Sequence, residues 1–168
     1  MPNMVGNMLN NNEVDFVIDI SSYKDNLGNF SVRKIKDLKH CFVMSSQFDI
    51  SNRKEIKSIC DLRDLPLILP VFNSSNRKKL NEYVRKKNVV FDNVISIETS
   101  EIIYNTIKNK LGIGYILYDI VKEDIKNGKM KLVEIEENLP VVTLNLIYKN
   151  NMLTIASNEF INNFIKII

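Results

Sequence analysis

Apolar residues along the chain fall into short runs that alternate with segments of helical spacing. The runs are rich in β-branched residues and are bounded by Ser, Pro or Gly, which is typical of strands. Strands are predicted at 14–20, 30–35, 39–44, 65–70, 94–97, 113–117, 130–135 and 141–148. Spacing at i, i+3 and i+4 predicts helices at 5–13, 99–111, 118–127 and 157–168, a helix starting at 73–75, and a short helix or turn at 52–62. This alternation favours an α/β fold with mostly parallel sheets.

The order of these elements indicates two lobes. Residues 65–130 hold a complete strand–helix series, so the elements on either side of it must pack together. We therefore assign residues 1–46 and 141–168 to a first lobe and residues 47–140 to a second. The helix at 5–13 opens the chain, although a βαβ unit needs a strand before its helix. The first lobe is therefore expected to be N-terminally truncated.

Composition excludes several classes of protein. The 168 residues are 45% hydrophobic and 26% charged, which is typical of a globular domain. The net charge of +3, without a long block of like charge, is small for a protein that binds duplex nucleic acid. Two Cys and one His argue against a disulfide scaffold and a metal site. No apolar run is long enough to span a membrane and no secretory signal is evident, so we expect no membrane partner and a cytoplasmic location.

Several segments, taken in order, resemble the effector-binding domain of LysR-type transcriptional regulators. They are 12–18, 39–44 with 61–68, 98–100 with 111–117 and 127–132, and 144–148 with 153–156 and 160–161. The run Leu-Gly-Ile-Gly-Tyr-Ile-Leu at 111–117 is similar to the family's Gly-x-Gly strand. Tyr118 departs from the family pattern, which usually has Pro at that position. The resemblance covers nearly the whole chain.

The resemblance implies a two-lobed, periplasmic-binding-protein-like (type 2) fold that senses a small-molecule effector without catalysis or a cofactor. It also implies a homodimer or tetramer in the full protein, with the homodimer expected here, and contact with DNA only through an N-terminal winged helix-turn-helix domain. We expect that domain, and the first strand and helix of the effector domain, to be missing from this sequence. The alternative is a solute-binding protein or an enzyme on the same two-lobed fold.

Hydroxyl and amide side chains follow three of the predicted strands. Helix N-termini suit carboxylates and phosphates, because their free N–H groups and dipole point at the ligand. The carboxyl ends of strands are also where open α/β sheets bind ligands. We therefore predict a site for a small anion or carboxylate, although each residue could be only a cap or a turn residue. The candidate residues are Ser21, Ser22, Asn73, Ser74, Ser75, Thr99 and Ser100.

Two further groups could carry chemistry. His40 lies beside Cys41, but neighbours in a strand point to opposite faces, so they are not expected to form a nucleophile–base pair. No other catalytic set is evident, and we do not expect an enzyme.

Basic residues at 77–79 and 85–87 lie on or just after one helix. A solvated helix face is the preferred interpretation, and nucleic-acid or phosphate binding is the alternative.

Overall fold

The computed structural model describes residues 2–20, 29–50, 55–149 and 153–167. The chain forms two compact units: unit 1 consists of Met1–Leu38 and Val142–Ile168, and unit 2 consists of Lys39–Val141. The predicted outward boundary after residue 46 differs from this division, because the strand at His40–Ser45 is hydrogen-bonded to strands of unit 2. The predicted return boundary after residue 140 lies next to the observed one.

The helices and strands follow the predicted alternation, with shifted ends. In chain order they are α1 (Pro2–Asn10), β1 (Phe16–Asp19), β2 (Phe30–Leu38), β3 (His40–Ser45), β4 (Leu67–Pro70), α2 (Ser75–Lys86), β5 (Val94–Ile97), α3 (Ser100–Lys108), β6 (Ile113–Leu117), α4 (Tyr118–Lys126), β7 (Met130–Leu132), β8 (Val142–Lys149) and α5 (Ile155–Ile167). Within the described residues, the segment predicted at 52–62 forms only a 3-10 turn over Ile59–Leu62. No helix in the described part of the chain is both long enough and apolar enough to cross a bilayer.

The sheet of unit 1 has three strands in the order β1-β8-β2, and both pairs are antiparallel. The β2–β8 ladder ends with Leu38 opposite Val142, the two residues at which the chain leaves and re-enters unit 1. Phe16 of β1 stacks on Phe160 of α5, with ring centroids 5.5 Å apart. α5 therefore contacts β1, an edge strand of this sheet, through Phe160.

The sheet of unit 2 is mixed, in the order β5-β4-β6-β3-β7. β4 is parallel to β5 and to β6, whereas β3 is antiparallel to β6 and to β7. Parallel pairing is therefore limited to the strands joined by the helical crossovers α2 and α3. β3 enters the sheet from unit 1 without such a crossover. Four of the six strand pairs in the described residues are antiparallel, so the sheets are mixed rather than mostly parallel as expected.

Helices cover both faces of the five-stranded sheet, and each face has its own core. On one face, Leu80 of α2 packs with Phe42 and Tyr115. On the other face, residues of α3 and α4, including Ile103, pack with Val43. Successive residues of β3 thus enter different cores, which is why its sequence is apolar without alternation.

Two glycines allow the backbone around β6 to approach its neighbours closely. A Cβ on Gly114 would lie 2.1 Å from Cδ1 and 2.4 Å from Cγ1 of Ile107 on α3. A Cβ on Gly112 would lie 2.4 Å from the backbone oxygen of Pro66, which also accepts a hydrogen bond from the Ile113 N–H at 2.9 Å. The Gly-x-Gly pattern therefore serves close packing of α3 and of the chain before β4.

Candidate functional site

The carboxyl ends of three strands lie at one edge of the five-stranded sheet. β4 is in register with β5, with Pro70 opposite Ile97, and the Val71 N–H donates to the Ile97 oxygen at 3.0 Å. β3 runs against β6, so it begins at the same edge, with His40 opposite Leu117. The helices α2, α3 and α4 all begin just after these strands. This edge of unit 2 therefore collects three helix N-termini, in the position where open α/β sheets bind ligands.

The residues at 73–75 begin α2, as the sequence predicts. Ser74 is the N-cap, and its Oγ accepts a hydrogen bond from the Arg77 N–H at 3.2 Å. A hydroxyl that accepts a cap bond keeps its own O–H for donation to another acceptor. Ser75 is the first helical residue; Ser74 and Ser75 are half-buried, and Asn73 is exposed. No acidic residue occupies the first turn of α2, so this helix end favours an anion.

Thr99 and Ser100 begin α3 in the same manner. Thr99 is the N-cap, and its Oγ1 accepts a hydrogen bond from the Ile102 N–H at 3.3 Å. Both residues are exposed. Glu101 lies in the first turn and opposes an anion at this end. We therefore expect the main anionic contact at α2, with α3 contributing hydroxyl and backbone donors.

The structure brings two of the three predicted clusters to one edge. The cluster at 73–75 follows β4, the cluster at 99–100 follows β5, and these strands are parallel neighbours. Ser21 and Ser22 lie outside the described residues, so their part in the site stays a prediction. Among the described residues, no group of three or more His, Cys, Asp and Glu side chains is placed to hold a metal ion.

His40 is buried at the start of β3, at this same edge. Its ring stacks on Tyr115 with centroids 4.8 Å apart and an interplanar angle of 18°. Burial, with a smaller contribution from the charge of Lys79, lowers the pKa of His40 to about 4. The ring is therefore neutral at pH 7. Its Nδ1 atom and the Tyr115 hydroxyl are buried without a hydrogen-bond partner among the described residues.

Cys41 points away from His40, as the alternation of a strand predicts. Its side chain packs in the core on the α3 side, and its Sγ lies 3.7 Å from the Ile116 oxygen. Burial raises the pKa of the Cys41 thiol to about 12, so no thiolate is present at neutral pH. His40 and Cys41 therefore do not form a nucleophile and its base.

A cleft of about 600 Å³ adjoins His40 on the α2 side of the sheet, lined by residues 39–42 and by parts of 132–141. Glu137 in its wall is engaged structurally: one oxygen accepts from the Ile59 N–H at 3.0 Å and the other lies 3.5 Å from Lys87 Nζ. Lys79 Nζ donates to the Val141 oxygen at 3.1 Å. These bonds fix the segment after β7 against α2 and shape the cleft.

The basic run of α2 is not one solvated face, contrary to the sequence interpretation. Lys78, Arg85 and Lys86 are exposed, but Arg77 is only 8% exposed. Its Nε donates to Asn81 Oδ1 at 2.8 Å, and its Nη1 donates to the Pro70 oxygen at 3.3 Å.

The helical spacing of the sequence indicates the burial of Arg77. Positions 77, 80 and 84 share one helix face, and the apolar residues Leu80 and Val84 on that face are typical of positions that point inward.

Comparison with models of known protein families identifies the family of this chain. A model of the LysR substrate-binding domain matches residues 2–166. The chain belongs to this family. A LysR substrate-binding domain binds the small-molecule effector of a LysR-type transcriptional regulator, and that is the class of function to which this chain belongs. A search of curated proteins gave no significant match.

Solved regulatory domains share the fold. The bromide-bound regulatory domain of HypT from Salmonella typhimurium has a TM-score of 0.77 and 14% identity, covering 96% of this chain and 75% of that one. The regulatory domain of CcmR from Synechocystis PCC6803, in complex with 2-PG, has a TM-score of 0.76 and 15% identity over 98% and 78%. DarR from Vibrio fischeri, in complex with DNA, has a TM-score of 0.76 and 13% identity over 99% and 55%.

These likenesses confirm the expected type 2 periplasmic-binding-protein-like fold. They give no support to the alternative of a solute-binding protein or an enzyme.

Proposed function

We propose that this LysR substrate-binding domain senses a small anion or carboxylate at the edge of unit 2 where α2 and α3 begin. The observation that carries the proposal is the pair of capping hydroxyls, Ser74 and Thr99, at adjacent parallel strand ends. Each hydroxyl can donate to a ligand while it caps its helix. The HypT domain with bromide and the CcmR domain with 2-PG support a small ligand, and the former a simple anion.

In the complete regulator, effector binding would be relayed to a winged helix-turn-helix domain that contacts DNA in the cytoplasm. The complex of the related DarR with DNA supports this role. The relay requires that the effector bind one arrangement of the domain more tightly than another, because a ligand without such a preference shifts no equilibrium. The domain itself performs no chemistry in this scheme.

The anion site is tested by titrating the ¹⁵N-labelled chain with bromide and with inorganic phosphate. We expect saturable shifts of the backbone amide signals of Ser75 and Ser100. The double variant Ser74→Ala/Thr99→Ala should weaken binding about tenfold, because two donors to a charged ligand are lost. Thr106→Ala is the matched control, since Thr106 also lies on α3 but its hydroxyl donates to the Ile102 oxygen, within the helix.

Unchanged affinity in the double variant would contradict the site. So would amide shifts that avoid the first turns of α2 and α3. A loss of binding in the Thr106→Ala control would show that the helix as a whole, rather than its cap, is responsible.

We also propose that the chain is a homodimer, as the resemblance to LysR regulators implies. Native mass spectrometry of the purified chain is expected to show twice the 19.5 kDa mass of one chain. The same spectrum reports any retained effector as a defined added mass. A species that remains monomeric across the micromolar range would contradict the dimer.

A further inference from the structure

A second cavity lies in unit 2, beside the body of α2. It has a volume of about 510 Å³ and is bounded by α2, by Phe72 before that helix and by residues 89–91 after it. Its rim is apolar, and Phe72 and Val90 are each 66% exposed. A volume of this size suits a small organic molecule. The cavity shares Arg77 with the first turn of α2 but none of the hydroxyl residues of the anion site proposed above.

Arg77 lies in the wall of this cavity. Among the described residues no carboxylate lies within ion-pair distance of it; the bonds it makes are to the neutral acceptors Asn81 and Pro70. A guanidinium has five N–H donors, so these two bonds hold the group in place and leave donors for a further acceptor. Buried charges in proteins are normally paired or bound to a ligand, because removing them from water is costly.

The charges around the cavity favour an anion. Arg77, Lys78 and Arg85 line it together with one acidic residue, Glu82, so the lining carries three positive charges against one negative. Arg85 and Lys78 are exposed at the rim and can attract a charged ligand. The apolar side chains in the same lining suit a hydrophobic body, which an inorganic ion does not have.

We infer that this cavity is a binding site for a carboxylate with an apolar body, whose carboxylate pairs with Arg77 and whose body packs against Phe72 and Val90. Such a ligand would satisfy the fixed guanidinium and cover the exposed apolar rim together. The fork geometry of arginine matches a carboxylate with two parallel hydrogen bonds. The site would give this domain a second ligand input, separate from the helix N-termini.

The test uses phenylacetate as probe, with phenylacetamide as the matched neutral molecule and acetate as the head group alone. Binding to the ¹⁵N-labelled chain is followed at the Arg77 Nε–Hε signal and at the amide signals of Phe72 and Val90. We expect phenylacetate to bind at least about tenfold more tightly than either control, since each control lacks one half of the interaction. Thr99→Ala, which removes a donor from the proposed anion site, should leave this binding unchanged.

Two variants decide the outcome. Arg77→Gln should abolish the preference for phenylacetate over phenylacetamide. Phe72→Ser changes an exposed rim residue and is expected to fold normally, so its weaker binding of phenylacetate tests the site even if Arg77→Gln is unstable. Equal binding of phenylacetate and phenylacetamide, or unchanged binding in Phe72→Ser, would overturn the inference. Binding that Thr99→Ala removes would assign the probe to the helix N-termini and would also overturn it.

Discussion

Replacing Gly114 with alanine is expected to lower the free energy of unfolding by about 3 kcal/mol, at the upper end of overpacking costs in protein cores. The new Cβ would lie 2.1 Å from Cδ1 of Ile107, a side chain that is fully buried and can therefore turn aside only by displacing its core neighbours. α3 must then move away from β6, which opens the core on that face of the sheet. Urea denaturation followed by circular dichroism measures the change.

A double-mutant cycle shows whether the contact with Ile107 is the cause. Ile107→Ala removes both atoms that the new Cβ would strike, Cγ1 and Cδ1. Gly114→Ala should therefore cost much less in the Ile107→Ala background than in the native chain. Equal costs in the two backgrounds would mean that the backbone at Gly114, and not its packing against α3, makes glycine necessary there.

Acidification from pH 7 to pH 4 is expected to remove about 3 kcal/mol of folding free energy through His40 alone. Burial, and next the charge of Lys79, lowers the pKa of this residue from 6.5 to about 4. Between these values the unfolded chain binds a proton that the folded chain does not, so stability falls as the pH drops through this window. Above about pH 7 the ring is neutral in both states and contributes no pH dependence.

His40→Phe isolates this contribution from that of the carboxyl groups. Phenylalanine keeps a ring against Tyr115 but cannot take up a proton, so its stability relative to the native chain should improve steadily below pH 6.5. His40 is the one histidine of the sequence, so its NMR titration is read without assignment. A titration midpoint near 6.5 would contradict the lowering of the His40 pKa by burial. Lys79→Met should raise the midpoint, because it removes the positive charge that is the smaller cause of the lowered pKa.

Features set by neighbouring residues were predictable from the sequence. Ser74 and Thr99 were expected among the caps of their helices, because capping depends only on the next few residues. The opposite directions of His40 and Cys41 follow from the pleat of any strand. The family resemblance, carried by short segments in order, also predicted the fold correctly.

Features that depend on distant residues were not predictable. The antiparallel place of β3 in the sheet is set by its pairing with β6 and β7, far along the chain. The burial of Arg77 is a different case, because its spacing from Leu80 and Val84 indicated an inward position. The basic residues next to it favoured the interpretation of a solvated helix face instead.

The pairing of Leu38 with Val142 has a consequence for the ancestry and engineering of the chain. These residues end a two-stranded ladder and would normally be joined by a tight hairpin turn. Here the whole of Lys39–Val141 takes the place of that turn. Unit 2 is therefore an inserted domain whose two ends are adjacent. An inserted domain of this kind can be exchanged between proteins, or given new termini by circular permutation, without cutting a strand of the domain that carries it.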